Sequence, residues 1–217
     1  KDGFVHSGEY VKFRKRKHGR SSKDIFGDKF VAFNLNHDQV GNRVQGERLC
    51  VLVDVERVKI AAAALLLSPY VPLLFMGEEY ADRSPFYYFV SHSDPALIAA
   101  VRQGRKEEFK NYVSEGEPPD AQEPGTFYGS KLKWDDRHHG DHAMILTWHR
   151  TLIALRKSSP VFRNFNKKDV DVKIINNKAM MIHRQSADGH MHLLCCYNFS
   201  DESVSSVAPS HACWRIV

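Results

Sequence analysis

The sequence predicts an α/β fold in which strand and helix alternate, followed by a small antiparallel all-β domain. Two short apolar runs, at residues 30–33 and 71–76, are each followed by polar side chains, which is typical of buried strands that end at a cleft. Helical spacing of apolar residues at 47–67 separates the two runs. Beyond residue 170, short runs separated by Asn-Asn and Asp-Gly turns predict antiparallel strands.

The first elements follow from local composition. Residues 1–29 are polar, basic and interrupted by glycine, so we expect a long loop before the first strand. The helix predicted over residues 47–67 contains an alanine run at 61–64 that favours helix, and Ser68-Pro69 ends it.

Two further helices have recognisable starts. Asp94 is a typical N-cap and Pro95 a typical first helical residue, so we expect a helix from there toward Phe109. Asp141 can cap another helix, whose apolar face continues to Leu155. The strands predicted for the C-terminal domain are residues 170–175, 179–184 and 191–197.

The segment FNLNHDQ, at residues 33–39, is the most informative one for function. It passes from apolar to polar residues and Gly41 follows it, which predicts a strand that presents Asp38 at its carboxyl end. Polar groups at that end of a parallel barrel strand indicate chemistry more than stability. The Asn-His-Asp sequence is also compatible with a hydrogen-bonded turn that has no catalytic role.

A second segment, SPYVPLLFMGEEY at residues 68–80, also passes from apolar residues to carboxylates. Taken with the first, it resembles the last two barrel strands of the α-amylase superfamily, whose seventh strand carries Asn-His-Asp and whose eighth often ends in Gly-Glu-Glu. Over residues 3–157 the chain is similar to one branch, the maltooligosyltrehalose trehalohydrolases. The segments that carry this narrower resemblance are GEY at 8–10, RKHG at 16–19, HDQVGNR at 37–43, GERL at 46–49, PFYYFVSH at 85–92 and VRQGRKEEF at 101–109.

The resemblance implies a fold, an activity and a substrate. Residues 1–157 are expected to form the C-terminal part of a (β/α)8 TIM barrel, and residues 158–217 a small antiparallel, β-sandwich-like domain. The implied enzyme is a retaining glycoside hydrolase that cleaves the α-1,4-glucosidic bond next to the trehalose end of maltooligosyltrehalose, an α-glucan, and releases trehalose. The family needs neither a metal nor an organic cofactor.

The resemblance also assigns roles to side chains. Asp38 corresponds to the third carboxylate of the superfamily, which stabilises the oxocarbenium-like transition state, and His37 is its hydrogen-bonding neighbour and a substrate contact. Amide, guanidinium and aromatic groups nearby suit sugar hydroxyls and ring faces. The further substrate-binding candidates are Gln39, Asn42, Arg43 and Tyr80.

Several candidates have a structural alternative. Arg43 can instead pair with Glu47 at helical spacing. We expect Glu78 and Glu79 to support the strand end rather than to contact sugar. The densest group of potential metal ligands, which we expect to be a capped helix start and not a zinc site, is His138, His139, Asp141 and His142.

The superfamily's nucleophile and acid/base belong to the fourth and fifth strands, and no Gly-Phe-Arg-Xaa-Asp run that would carry the nucleophile occurs in the sequence. We therefore expect a fragment that lacks two of the three catalytic carboxylates and is inactive alone. An open half-barrel would expose strand edges, so we also expect self-association of the fragment.

Composition also limits which partners and which cellular location we expect. The net charge is +5, but the basic residues concentrate at residues 12–23, so we expect no nucleic-acid partner. The apolar runs are too short and too broken to span a bilayer, so no membrane partner is expected. Four cysteines without CxxC spacing fit a reducing, cytoplasmic location; they are Cys50, Cys195, Cys196 and Cys213.

Two rival functions stay open. A 1,4-α-glucan branching transglycosidase would share the fold and the carboxylates, although the sequence QVGNR at residues 39–43 favours the trehalohydrolase. A non-catalytic carbohydrate-binding module would bind glucans without cleaving them.

Overall fold

The computed structural model of this chain describes residues 6–110, 116–209 and 214–216. Contacts divide the chain into two compact units. One comprises residues 28–159, and the other combines the segment before Asp28 with the segment from Pro160 onward. None of the described helices is both long enough and apolar enough to cross a lipid bilayer.

Helices are concentrated in the unit of residues 28–159, and most strand residues lie in the other unit. The helices are α1 (His37–Gly41), α2 (Leu49–Leu52), α3 (Val55–Leu66), α4 (Pro95–Glu108), α5 (Pro124–Gly129), α6 (Gly140–Ser158) and α7 (Pro160–Arg163). The strands are β1 (Ser7–Val11), β2 (Arg16–Gly19), β3 (Val31–Ala32), β4 (Val71–Pro72), β5 (Val170–Ile175), β6 (Ala179–Gln185) and β7 (His192–Asn198).

The pair β3–β4 is parallel, with Val31 opposite Val71 and Ala32 opposite Pro72. Helices α1 to α3 lie between the two strands in the chain, as the predicted strand, helix, strand order requires. Each strand is only two residues long, shorter than the predicted runs at 30–33 and 71–76. Few ladder hydrogen bonds therefore hold this pair together.

The helix predicted over residues 47–67 is two helices, α2 and α3. After α2 ends at Leu52, the Asp54 carboxylate accepts the Arg57 N–H at 2.9 Å and caps the start of α3. Apolar periodicity runs through this junction unchanged, so the sequence pattern did not reveal the break. Helix α3 buries its apolar face, including Ala62 and Leu66, and packs against α6.

The two predicted helix starts have different outcomes. Helix α4 begins at Pro95, and the Asp94 side chain accepts the N–H groups of Ala96 and Leu97, as predicted. Helix α6 begins two residues earlier than expected, at Gly140, and its N-cap is His139. Asp141 lies inside its first turn and is not the N-cap, so its negative charge favours the helix only through the helix dipole.

The C-terminal sheet has the antiparallel order β5-β6-β7. Its strands agree with the predicted runs to within one residue at each end. Asn176 and Asn177 both have positive φ, at 50° and 55°, the backbone shape of a tight hairpin turn. The other sheet among the described residues of this unit is the hairpin β1–β2, so a sandwich-like arrangement stays a prediction.

The segment before Asp28 differs from its prediction. It contains the hairpin β1–β2 rather than a continuous loop. It also belongs with the C-terminal unit, whereas we assigned it to the barrel part within residues 1–157. The Lys167 ammonium donates to the Ser22 carbonyl at 2.5 Å, and the Gly27 N–H donates to Phe165 at 2.7 Å. Contacts between residues so far apart in sequence leave no local pattern.

Arg156 on α6 fixes the turn between α3 and β4. Its guanidinium donates to the carbonyl oxygens of Leu66, Ser68 and Tyr70 at 2.6, 2.7 and 2.6 Å. Burial lowers the pKa of Arg156. Because the last carbonyls of a helix have no partner within it, this side chain both ends α3 favourably and places β4.

Replacing Arg156 tests this anchor. Arg156→Met keeps much of the apolar stem but removes the donors, so we expect the free energy of unfolding to fall by roughly 2 kcal/mol. Urea denaturation measures the change. Lys157→Met, at the exposed neighbouring position, is the matched control and should shift stability by less than about 0.5 kcal/mol. Equal losses in both variants would contradict the anchoring role.

Candidate functional site

Side chains join the carboxyl ends of β3 and β4. The amide Nδ2 of Asn34 donates to the Ala61 carbonyl at 3.0 Å and to Glu78 Oε1 at 3.4 Å. The other oxygen of Glu78 accepts the Phe75 N–H at 2.9 Å. The two segments that the sequence singled out therefore meet at one edge, and Glu78 supports the strand end there, as expected.

Glu78 is buried, with 9% of its surface exposed. Burial raises its pKa above the usual 4.5, although the hydrogen bonds from Phe75 and Asn34 act in the opposite direction. Gly77, just before it, has φ of 80°, and a Cβ there would lie 2.9 Å from the Cβ of Asp82. Glycine is therefore required for the turn that brings Glu78 back over Phe75.

Asp38 lies in a helix and not at the end of a strand, which corrects our prediction. The Asn36 side chain accepts the Gln39 N–H at 2.8 Å and so starts α1, and Asp38 lies in its first turn. The Asp38 side chain is 74% exposed, and its Oδ1 is 3.5 Å from Nε2 of His37, which is 72% exposed. The carboxylate is thus accessible and lies beyond the carboxyl end of β3.

The other polar candidates are either exposed side chains or side chains that are hydrogen-bonded to distant or neighbouring residues. Gln39 is exposed, like His37. Asn42 is the C-cap of α1, and its Oδ1 accepts a hydrogen bond from Arg105 at 3.1 Å. Arg43 donates to Glu47 at 3.2 Å, which is the structural alternative considered for it. His37, Asp38 and Gln39 are therefore the predicted residues most accessible to a ligand.

The burial of Tyr80 contradicts its predicted stacking on a sugar. It is 1% exposed, its hydroxyl donates to Asp82 Oδ2 at 3.0 Å, and its ring lies 5.8 Å from that of Trp134. Burial raises the pKa of the hydroxyl, and the Asp82 carboxylate adds to this. An aromatic ring after a strand looks the same in sequence whether it lines a cleft or fills the interior.

Sequence reasoning missed Arg48, which is 1% exposed. Its Nε donates to the Ser84 carbonyl and its Nη1 to the Met76 carbonyl, both at 2.6 Å, and the guanidinium lies 5.1 Å from the centre of the Phe75 ring. Burial lowers the pKa of Arg48, and the nearby Asp82 opposes this. A single arginine between polar and apolar residues gave no signal for burial.

Sequence reasoning also missed Asp82, an acidic residue whose charge lies near Arg48. Its Oδ1 accepts the Ser84 N–H at 2.7 Å and its Oδ2 accepts the Lys133 N–H at 2.7 Å. Burial acts to raise the pKa of Asp82, but these hydrogen bonds outweigh it, so the pKa is lowered. Asp82 is thus held as a carboxylate.

A cavity of about 20 Å³ is lined by apolar side chains such as Leu35 and Val58 together with polar ones. The polar lining residues are Asn34, Arg48, Glu78, Asp82 and His149. Nη2 of Arg48 and Nε2 of His149 have no hydrogen-bond partner among the described atoms. Burial lowers the pKa of His149, which favours the neutral ring. The volume suits one water molecule and excludes a sugar.

The predicted histidine cluster has ordinary hydrogen-bond partners. Nδ1 of His142 is 2.9 Å from the Tyr80 carbonyl oxygen, and His138 accepts a hydrogen bond from Arg137. Within the part of the chain that the structure describes, no three His, Cys, Asp or Glu side chains are grouped to hold a metal ion. Cys213 lies outside the described residues.

Comparisons with known proteins agree with the resemblance found in the sequence. No family model matches the chain. The malto-oligosyltrehalose trehalohydrolase of Saccharolobus solfataricus is 49% identical over 72% of this chain and 26% of its own length. That of Rhizobium sp. (strain M-11) is 37% identical over 98% of this chain and 35% of its own length. A crystal structure of a candidate α-amylase from Salmonella typhimurium matches with a TM-score of 0.85 and 35% identity, over 96% of this chain and 35% of that one.

The predicted resemblance to malto-oligosyltrehalose trehalohydrolases is therefore confirmed. The chain spans about a quarter to a third of the length of these relatives.

The raised pKa of Glu78 predicts a pH-dependent stability. The protonated acid is favoured in the folded state, so its contribution is complete below the ordinary pKa of 4.5 and is lost as the pH rises through the raised folded-state value. We expect the free energy of unfolding of the unmodified protein, relative to Glu78→Gln, to decrease as the pH rises above 4.5.

Urea denaturation at a series of pH values measures this difference. Glu79→Gln removes an acid from the adjacent position and is the matched control. A difference between the unmodified protein and Glu78→Gln that stays constant with pH would show that the Glu78 pKa is not raised.

Proposed function

We propose, from the confirmed resemblance of this chain to the malto-oligosyltrehalose trehalohydrolases, that it forms the C-terminal part of a (β/α)8 barrel in a retaining glycoside hydrolase. The enzyme cleaves the α-1,4-glucosidic bond next to the trehalose end of maltooligosyltrehalose and releases trehalose. The observation that carries the proposal is an accessible carboxylate, Asp38, beyond the carboxyl end of a parallel strand, in a chain whose relatives bear this activity in their names.

In this proposal Asp38 stabilises positive charge on the sugar ring as the glycosidic bond breaks. Retaining glycosidases use a nucleophilic carboxylate and an acid/base carboxyl about 5 to 5.5 Å apart, between which an oxocarbenium-like transition state forms. Asp38 acts beside that pair and accepts hydrogen bonds from the ring hydroxyls. The exposed side chains of His37 and Gln39 supply further hydrogen bonds to the same sugar.

The nucleophile and the acid/base are supplied, in this proposal, by residues outside these 217. The partial coverage of the relatives' length supports this assignment. Apolar side chains at the strand pair, Val31, Phe33, Val71 and Leu73, are 39–59% exposed, which supports self-association of the chain when it is alone. Cys50, Cys195 and Cys196 are free thiols, which supports a cytoplasmic location.

The role of Asp38 is tested in the complete enzyme that contains this chain. Asp38→Asn keeps the shape but removes the charge, so we expect kcat for trehalose release to fall by roughly 10³-fold. Asp28→Asn is the matched control, because Asp28 pairs with the exposed Lys29. This substitution should leave kcat unchanged. Activity of Asp38→Asn near that of the unmodified enzyme would remove the assigned role.

The isolated chain tests whether the nucleophile and the acid/base lie outside these 217 residues. We expect the purified 217 residues to release no trehalose from maltooligosyltrehalose, because one stabilising carboxylate cannot replace a nucleophile and a general acid. Calorimetry with maltooligosaccharides should show binding weaker than about 1 mM. Binding at micromolar concentration without cleavage would favour a carbohydrate-binding module, and measurable trehalose release would show that the chain holds the complete catalytic set.

A further inference from the structure

Arg105, on α4, contacts the end of the helix that carries Asp38. Its Nη2 donates to the Gly41 carbonyl at 3.0 Å, and its Nη1 donates to Asn42 Oδ1 at 3.1 Å. Gly41 is the last residue of α1 and Asn42 is its C-cap. The guanidinium thus binds the carboxyl end of α1, where carbonyl oxygens lack partners and the helix dipole favours a positive charge.

The Arg105 side chain is itself held in place. Its guanidinium carbon lies 4.7 Å from the centre of the Tyr88 ring and 4.6 Å from that of Phe109. Nη1 also pairs with the Glu108 carboxylate at 2.8 Å, and the side chain is 14% exposed. A planar cation in contact with two aromatic rings and a carboxylate has little freedom to move. The position of α1 therefore depends on that of α4.

Helix α1 needs such external contacts, because it has only five residues. A single helical turn is unstable on its own. Asn36 fixes the amino end of α1 through Gln39, and Arg105 fixes the carboxyl end. Asp38 lies between these two points, so the position of its backbone, from which the carboxylate projects, depends on both.

We propose that Arg105 is a positioning residue that fixes the orientation of Asp38 through α1 and so raises kcat of the hydrolysis. The inference rests on the proposed function of Asp38. The hydrogen bonds of Arg105 run from Nη1 and Nη2 to the end of α1 and to Glu108, so Arg105 acts on the reaction through α1.

The same helix offers a matched control. Arg102, one turn before Arg105, directs its guanidinium to the Asp120 carboxylate at 2.8 and 3.0 Å. It carries the same charge and a similar ion pair, but within the described residues its side-chain hydrogen bonds go to Asp120 and not to α1. A general effect of losing an arginine from α4 would therefore be the same in both variants.

Kinetics of the complete enzyme test the proposal. We expect Arg105→Met to lower kcat by roughly 10- to 100-fold with KM changed by less than about threefold, because a displaced stabilising group acts on the transition state. Arg105→Lys keeps the charge but cannot donate in the same planar geometry, so it should recover only part of kcat. Arg102→Met should leave kcat within about twofold, as for a surface change.

A double-mutant cycle with Asp38→Asn separates positioning from loss of structure. If Arg105 acts through Asp38, Arg105→Met costs nothing further in the Asp38→Asn background. Losses that multiply would overturn the proposal, as would unchanged kcat in both Arg105 variants. If Arg105→Met fails to fold, Arg105→Lys completes the same cycle with the same two readings.

The cycle also separates this inference from the proposed function. If Asp38→Asn retains activity, the function assigned to Asp38 fails, and the inference about Arg105 falls with it. If Asp38→Asn is inactive while the Arg105 variants are fully active, the inference alone is wrong.

Discussion

A positive charge placed inside the protein determines how the chain continues after β4. Arg48 is 1% exposed, and removing such a charge from water is costly unless its donors find acceptors. The Met76 and Ser84 carbonyls accept from it, so the backbone from one to the other must curve around the guanidinium. Glu78 and Asp82 lie on that curve with opposite pKa shifts: burial dominates for Glu78, whereas backbone N–H donors outweigh it for Asp82.

Hydrogen bonds from arginine side chains hold elements together here, as the ladders of long strands do in other sheets. Because β3 and β4 are two residues each, their ladder supplies few hydrogen bonds. Arg48, Arg105 and Arg156 each donate to backbone carbonyls far away in the sequence, and each binds at or near the end of a helix or strand. Arginine suits this because its donors lie in one plane and reach several acceptors at once. The positions of the elements therefore depend on single side chains as well as on apolar packing.

Local signals in the sequence predicted what depends on neighbouring residues. Asp94 and Pro95 were enough for the start of α4, and short runs separated by Asn-Asn and Asp-Gly turns were enough for the C-terminal sheet. The segment that holds the accessible acid was found from its residue types, but the Asn36 cap, rather than strand propensity, decided the conformation around Asp38. The Arg48 network, the burial of Tyr80 and the pairing of Lys167 with Ser22 depend on contacts between distant residues, which no periodicity encodes.

The exposure of Asp38 constrains how it can act. At 4 Å, two unit charges interact by about 1 kcal/mol in water and by about 4 kcal/mol at the effective dielectric constant of a protein surface. A carboxylate that is 74% exposed is close to the first case, so it stabilises a sugar cation weakly as it stands. In the proposed function, it would become effective only where a bound glucan and further strands exclude water from around it. Closure of the barrel and the stabilising role of Asp38 are therefore one hypothesis, because the charge has its catalytic value only inside a covered cleft.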